Sequence, residues 1–289
     1  MNYCMKILIL GANGMAGHTI SLYFLEQGHE VTTYTITPYK YGINVTGDAF
    51  DVEELRKILL HKKYDAVINC IGLLNQIADN NPDKAVFLNA YLPHFVAGVL
   101  NSTGTKFIQM STDCVFAGNT GPYFENSLKD GLTFYDRTKA LGEVDYKNHL
   151  TFRNSIIGPD INVDGIGLFN WFMKQSGTIK GFTHAIWTGV TTLTLAKAME
   201  AGIKENITGL YNLVNNESIS KFDLTNLFNK HFKDSKVKII ADGQLKLDKS
   251  LRNSRTDFSF SVPSYEQMVI EMKDWVLKHP ELYPHYFKI

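Results

Sequence analysis

A doubly wound α/β fold, with a parallel sheet covered by helices on both faces, is what three features of this 289-residue sequence predict. Apolar runs of strand length alternate with stretches of helical periodicity. The runs are almost continuously apolar, as strands buried on both faces must be. A glycine-rich turn stands directly between the first run and the first helical stretch.

Taken in order, residues 6–10 (KILIL) read as a strand that stops at Gly11, and 15–27 as the helix after it. Residues 30–35 are a second strand, 52–60 a helix, and 65–70 (DAVINC) a third strand. A helix over 84–100, a strand over 106–110, a helix over 134–146 and a strand over 150–157 continue the alternation. After Gly158 and Pro159 it loosens into the loop GPDINVDGIG. A nucleotide-binding domain over 1–158 is therefore expected, followed over 159–289 by a smaller, discontinuous substrate-binding part with some elements packing back on the first sheet. In that part 168–175, 191–202, 221–232 and 265–279 read as helical, and 209–214 and 236–240 as strands. In such sheets ligands bind beyond the carboxyl ends of the strands.

Charge narrows the partner. Lys and Arg total 29, as do Asp and Glu, so nothing attracts nucleic acid or an anionic membrane surface. No apolar run approaches bilayer length, and the opening MNYCMKILIL lacks a small-residue cleavage site. A cytoplasmic protein with a small-molecule partner is expected. Cys4, Cys70 and Cys114 have no paired spacing, which fits a reducing compartment. The nine His lack metal-ligand spacing, so no metal is expected.

The turn GANGMAG sets Gly11, Gly14 and Gly17 three residues apart, with Asn13 and Met15 between them. The first glycine permits the tight turn, the second lets backbone approach a pyrophosphate, and the third lets helix pack closely on strand. This is a Rossmann-type signature. The helix amino terminus beyond it favours negative charge. The second strand ends in Thr33, Tyr34 and Thr35, with no acid to hold an adenine ribose. Lys40 is near enough in sequence to meet a 2′-phosphate, which favours NADPH, with NADH as the alternative.

Tyr135 and Lys139 lie one helical turn apart on one face. With 14 Tyr in the chain about one such pair is expected by chance, so order and context carry its weight. The pair follows the fourth expected strand, whose end carries Ser111, Thr112 and Asp113. Carbonyl reduction needs a proton donor, a hydrogen bond to the carbonyl and a cation that acidifies a phenol. Tyr135, Thr112 (with Ser111 as alternative) and Lys139 answer those needs in turn. Turn capping is the ordinary role of either hydroxyl taken alone.

With these elements in place the sequence resembles the extended short-chain dehydrogenases, and within them the dTDP-4-dehydrorhamnose reductases and related 4-keto-6-deoxy-sugar reductases. The matching segments are GANGMAG, NCIG, STDCVFAG, YDRTKALGE, FRNS and GLYNLV. The resemblance implies that Asn44 and Val45 lie near an adenine, that Cys70, Ile71 and Gly72 line the cofactor, and that Thr112, Tyr135 and Lys139 are catalytic. It implies reduction of the C4 keto group of a sugar nucleotide in polysaccharide precursor synthesis, and leaves room for a homodimer. The sequence departs from the pattern at Ile156, where an aromatic residue is usual, and at HAIWTGVTT. Trp187 is a candidate replacement ring for the substrate, with a core role as the alternative. Arg252 and Arg255, two of only five Arg, are candidates for a diphosphate. Both dTDP- and UDP-linked hexoses suit these departures. In the dehydratases an Asp-Glu pair follows the threonine, whereas here Asp113 precedes Cys114. The competing reading is a non-catalytic NADP-binding regulatory subunit like the one that attends methionine adenosyltransferase.

Overall fold

Ile7 and Ile9 fall on one face of the first strand and Leu8 and Leu10 on the other, and all four are fully buried. Burial on both faces is the mark of a central parallel strand. The computed structural model, which describes residues 3–287, shows how the chain achieves it. Strands β1 (Lys6–Leu10), β2 (Glu30–Thr35), β3 (Ile43–Thr46), β4 (Ala66–Asn69), β5 (Lys106–Ser111) and β6 (Leu150–Arg153) belong to one parallel sheet. A seventh strand, β11 (Gly209–Asn212), completes the order β11-β6-β5-β4-β1-β2-β3.

Helix α1 (Met15–Glu26) covers the isoleucine face, where Ile20 and Phe24 join Ile68 and Ile108. Helix α2 (Val52–Leu60) covers the leucine face through Leu55 and Leu59, capped by the Asp51 carboxylate. Short helices α3 (Asn75–Asn80) and α4 (Pro82–Ala85) lead into a π-helical turn, Val86–Tyr91, and then α5 (Leu92–Leu100). One continuous helix was expected over 84–100. The π turn interrupts it where Asn89 turns inward, and such turns are frequent at functional sites.

Helix α6 (Phe134–Leu141) stops five residues short of the expected 146. Gly142 crosses the π turn so closely that a Cβ there would lie 1.8 Å from the Asn89 carbonyl oxygen. The expected strand over 150–157 also divides, because Asn154 separates β6 from β7 (Ser155–Ile157), which pairs elsewhere.

Beyond residue 158 come α7 (Leu168–Met173), β8 (Thr178–Phe182), β9 (Ala185–Trp187), β10 (Gly189–Thr191) and α8 (Thr192–Lys204). Then follow β11 (Gly209–Asn212), β12 (Ile219–Ser220), α9 (Lys221–Phe232), β13 (Lys238–Asp242), β14 (Leu247–Asp248) and α10 (Tyr265–Lys278). β11 pairs with β6 in the large sheet, while Leu195 and Met199 of α8 join the core around α1. The other strands form small sheets of two or three, β10 with β7, β12-β9-β14 and β13 with β8. Among the described residues no helix is long and apolar enough to cross a membrane.

Candidate active site

The glycine turn has the geometry a dinucleotide needs. Gly11 has φ +84°, open to glycine at little cost, and a Cβ on Gly17 would lie 2.2 Å from the Gly11 carbonyl oxygen. Around Gly14 the situation is the reverse: an added Cβ would meet nothing nearer than 3.6 Å. Gly14 is also the N-cap of α1 and, having no side chain, caps none of the first-turn N–H groups. An uncapped amino terminus beside open space is a place for phosphate oxygens. Asn13 ties the turn to the loop after β2, its amide donating to the Thr37 hydroxyl at 2.7 Å and carbonyl at 3.0 Å. Met15 meets the loop before α7, for a Cβ on Gly167 would lie 3.1 Å from its sulfur.

The other cofactor candidates line up along the same sheet edge. Ile71, just past β4, packs on Gly11. Cys70 lies beside Lys139, and burial pushes its thiol up to about 12. Gly72 faces Asn89, an added Cβ falling 3.0 Å from its Oδ1. Asn44 in β3 donates its amide to the Thr33 and Thr35 hydroxyls at 3.0 and 2.7 Å, and Val45 packs in the core of the leucine face.

Thr112 follows β5 and caps the short turn Asp113–Val115, accepting from the Cys114 amide at 3.2 Å. Its hydroxyl donates to Asp113 Oδ1 at 3.1 Å. Tyr135 and Lys139 enter on α6, whose start is fixed by a reciprocal Thr133–Asp136 capping box. Asp79 of α3 accepts from the Tyr135 amide at 2.9 Å. The Tyr135 phenol is buried beside Ala78 and Ala85, and that burial raises its pKa, against a smaller lowering by the nearby Thr112 hydroxyl. Lys139 Nζ donates to the Met110 carbonyl at 2.7 Å, and burial brings its pKa down to about 8.

Ser111, the alternative to Thr112, is spent elsewhere. Successive strand residues face opposite ways, and its hydroxyl donates to Glu143 Oε1 at 2.6 Å. Arg153, fully buried, grips both oxygens of the same carboxylate at 2.7 and 2.8 Å, and Lys129 adds a third contact at 2.9 Å.

The substrate candidates separate. Trp187 is not a stacking surface: it is 5 % exposed and packs in the core against Tyr265, ring centroids 5.6 Å apart. Arg255 is not free for a diphosphate. Its Nη1 donates to the Thr208 and Leu210 carbonyls at 2.6 and 3.0 Å, and its remaining donors pair with Asp257. It therefore braces the amino end of β11, away from the site. Arg252 stands at the carboxyl end of β11, where its carbonyl accepts from Asn212 at 2.9 Å. Ile156 is half-buried, paired in register with Val190.

Two positioning residues were missed. Asn89 clasps the exit of β4, accepting from the Leu73 amide and donating to its carbonyl, both at 2.9 Å, and reaches Thr138 of α6 at 3.3 Å. A lone Asn in the apolar stretch FLNAYLP was its signal. Lys249 lies 4.0 Å from Asp136 Oδ2 and, with Lys221, bears electrostatically on Asp113. Nothing in the spacing of KLDKS marks it.

Residues 5–256 match the family described as the RmlD substrate binding domain. The chain belongs to that family. A probable low-salt glycan biosynthesis reductase of Haloferax volcanii is 30% identical over 147 residues, 48% of each chain. The chain thus spans about half the length of the curated relatives of this kind that it matches. A longer match, 28% identical over 224 residues, covers 73% of this chain and 72% of a dTDP-4-dehydrorhamnose reductase of Salmonella typhimurium. The fold is that of the dTDP-4-dehydrorhamnose reductase of Bacillus anthracis solved in complex with NADP. The two superpose with a TM-score of 0.79 at 18% identity, over 93% of this chain and 99% of that one.

Proposed function

We propose that this chain is an NAD(P)H-dependent reductase of the C4 keto group of a nucleotide-linked 4-keto-6-deoxyhexose, whose product serves glycan assembly. The observation that carries the reading is that Thr112 follows β5, Lys139 reaches the Met110 carbonyl near the carboxyl end of that strand, and Tyr135 lies one helical turn before Lys139 on α6. A pure binding subunit has no chemical use for such a set. The reductases named above support the substrate class.

Gly11, Asn13, Gly14, Met15 and Gly17 would hold the dinucleotide's phosphates, Asn44 and Val45 the adenine end, and Cys70, Ile71, Gly72 and Lys139 the nicotinamide end. Bound there, the dinucleotide supplies a hydride. The chain's own work concerns protons and position. Tyr135 gives its phenolic proton to the oxygen that gains charge, and Thr112 hydrogen-bonds the same oxygen. Lys139, released from the Met110 carbonyl, places a cation near the phenol and eases loss of that proton. The buried walls around Tyr135 keep water from competing. Arg252 is the residue left to meet a diphosphate.

The test is NAD(P)H oxidation with dTDP- and UDP-linked 4-keto-6-deoxyhexoses, 2-acetamido forms included. Turnover on at least one is expected. Tight NADP binding with no turnover on any would sink the reductase reading in favour of a regulatory subunit.

A further inference from the structure

Thr112 stands where its single proton has two claims on it. Its Oγ1 accepts from the Cys114 amide at 3.2 Å and donates to Asp113 Oδ1 at 3.1 Å. A hydroxyl has one donor and two acceptor positions. While its proton goes to Asp113, Thr112 can only accept from a third group. A substrate's keto oxygen would then meet a lone pair, not a proton.

Protonating Asp113 reverses the bond. The carboxyl then donates to Thr112 Oγ1, which fills both acceptor positions of Thr112 and releases its proton toward the substrate. The surroundings favour that form more than water does. Asp113 is 8 % exposed, and burial raises its pKa above the ordinary carboxylate value. The Thr112 hydroxyl, Lys249 and Lys221 pull the other way, but Lys249 is shared with Asp136 at 4.0 Å. Of the remaining neighbours, the Cys114 thiol is kept neutral by burial, its pKa pushed up to about 12, and the Tyr135 phenol is likewise held neutral.

We propose that Asp113 is a positioning residue that sets the direction of the Thr112 hydroxyl, so that the site is armed when Asp113 carries a proton and disarmed when it is ionised. The inference rests on the reductase role given to Thr112 above. Asp113 keeps its own proton throughout turnover, and the keto oxygen is still protonated by Tyr135.

The experiment is the pH dependence of kcat and KM in the wild type and in Asp113→Asn, whose amide donates to Thr112 at every pH. In the wild type kcat should fall about tenfold per pH unit above the Asp113 midpoint, since one group's proton is required. In Asp113→Asn that step should vanish, leaving the fall set by Lys139 at about 8, so the variant overtakes the wild type in between. The same midpoint in both proteins overturns the proposal, as does a variant impaired equally at every pH. Infrared spectroscopy with isotope-labelled aspartate, taken as the difference between wild type and Asp113→Asn so that other buried carboxyls such as Asp160 cancel, follows the Asp113 carboxylic-acid band without turnover. A band that persists above the ordinary carboxylate range is expected. Asp113 ionised at every pH where the enzyme is fully active overturns the proposal and leaves the reductase reading intact. Failure of every sugar nucleotide sinks the reductase reading instead, and the band still decides the state of Asp113.

Discussion

Two neighbouring hydroxyls open onto two different kinds of buried polar region. On the Ser111 side, Glu143 is held by Arg153, Lys129 and Ser111, so each charge is answered at hydrogen-bond distance. On the Thr112 side, Asp113, Tyr135 and Lys139 are buried with fewer partners, and among the described residues Lys139 leans on a carbonyl with no counterion in hydrogen-bond contact. A saturated network fixes structure. An unsaturated one costs stability and keeps donors in hand for a ligand.

The largest effect should come from breaking the saturated side. Arg153→Ala leaves Glu143 buried and half-answered, and should destabilise the protein by about 3–5 kcal/mol in denaturant unfolding. Near-normal stability would show that Lys129 and water suffice. On the other side Tyr135→Phe should cut turnover on the order of 10²-fold with cofactor affinity nearly unchanged, because it removes only the proton donor. Near-normal turnover would place the proton source elsewhere.

The adjacent pair sharpens the contrast. Thr112→Val should lower turnover roughly tenfold or more through the lost carbonyl hydrogen bond. Ser111→Ala should leave turnover alone and cost about 1 kcal/mol of stability. Equal kinetic effects from the two would erase the distinction between the sides.

Their pH signatures differ as well. Arg153 and Ser111 hold the Glu143 carboxyl below its ordinary pKa in spite of burial, so its stabilisation is complete above the ordinary carboxylate value and is lost as pH falls through the depressed one. Lys139 is lowered to about 8, so the unfolded chain binds the extra proton above that pH and stability rises from there toward the ordinary lysine value. Lys139→Met should diminish that rise in unfolding measured against pH, leaving the share of Lys106, which burial also lowers to about 8, while weakening cofactor binding. An unchanged rise would locate it in another group. A similarly small effect is expected at Trp187→Phe, which should cost under about 1.5 kcal/mol and leave KM for the sugar nucleotide in place. A large rise in KM would return that ring to the substrate.

Much of this was legible in the residues. The strand at Lys6–Leu10, the glycine turn and the helix after it follow from local rules of burial, turn sterics and period, and those rules act within a few residues. β3 was not legible, because Ile43–Thr46 is only 4 residues long and partly exposed, and it becomes a strand by pairing with β2. The division at Asn154 follows equally from distant partners, β11 for one half and β10 for the other.

The sequence by itself determined the fold class, the order of the site elements and the presence of a hydroxyl, a phenol and a lysine at one sheet edge. Only the tertiary structure decided which hydroxyl faces the site, that Trp187 belongs to the core and that Arg255 is a brace. Those outcomes depend on Glu143, Tyr265 and the Thr208 and Leu210 carbonyls, partners 32 to 78 positions away in the chain. A side chain's role follows from which of its possible partners folding brings within reach, and no local pattern records that.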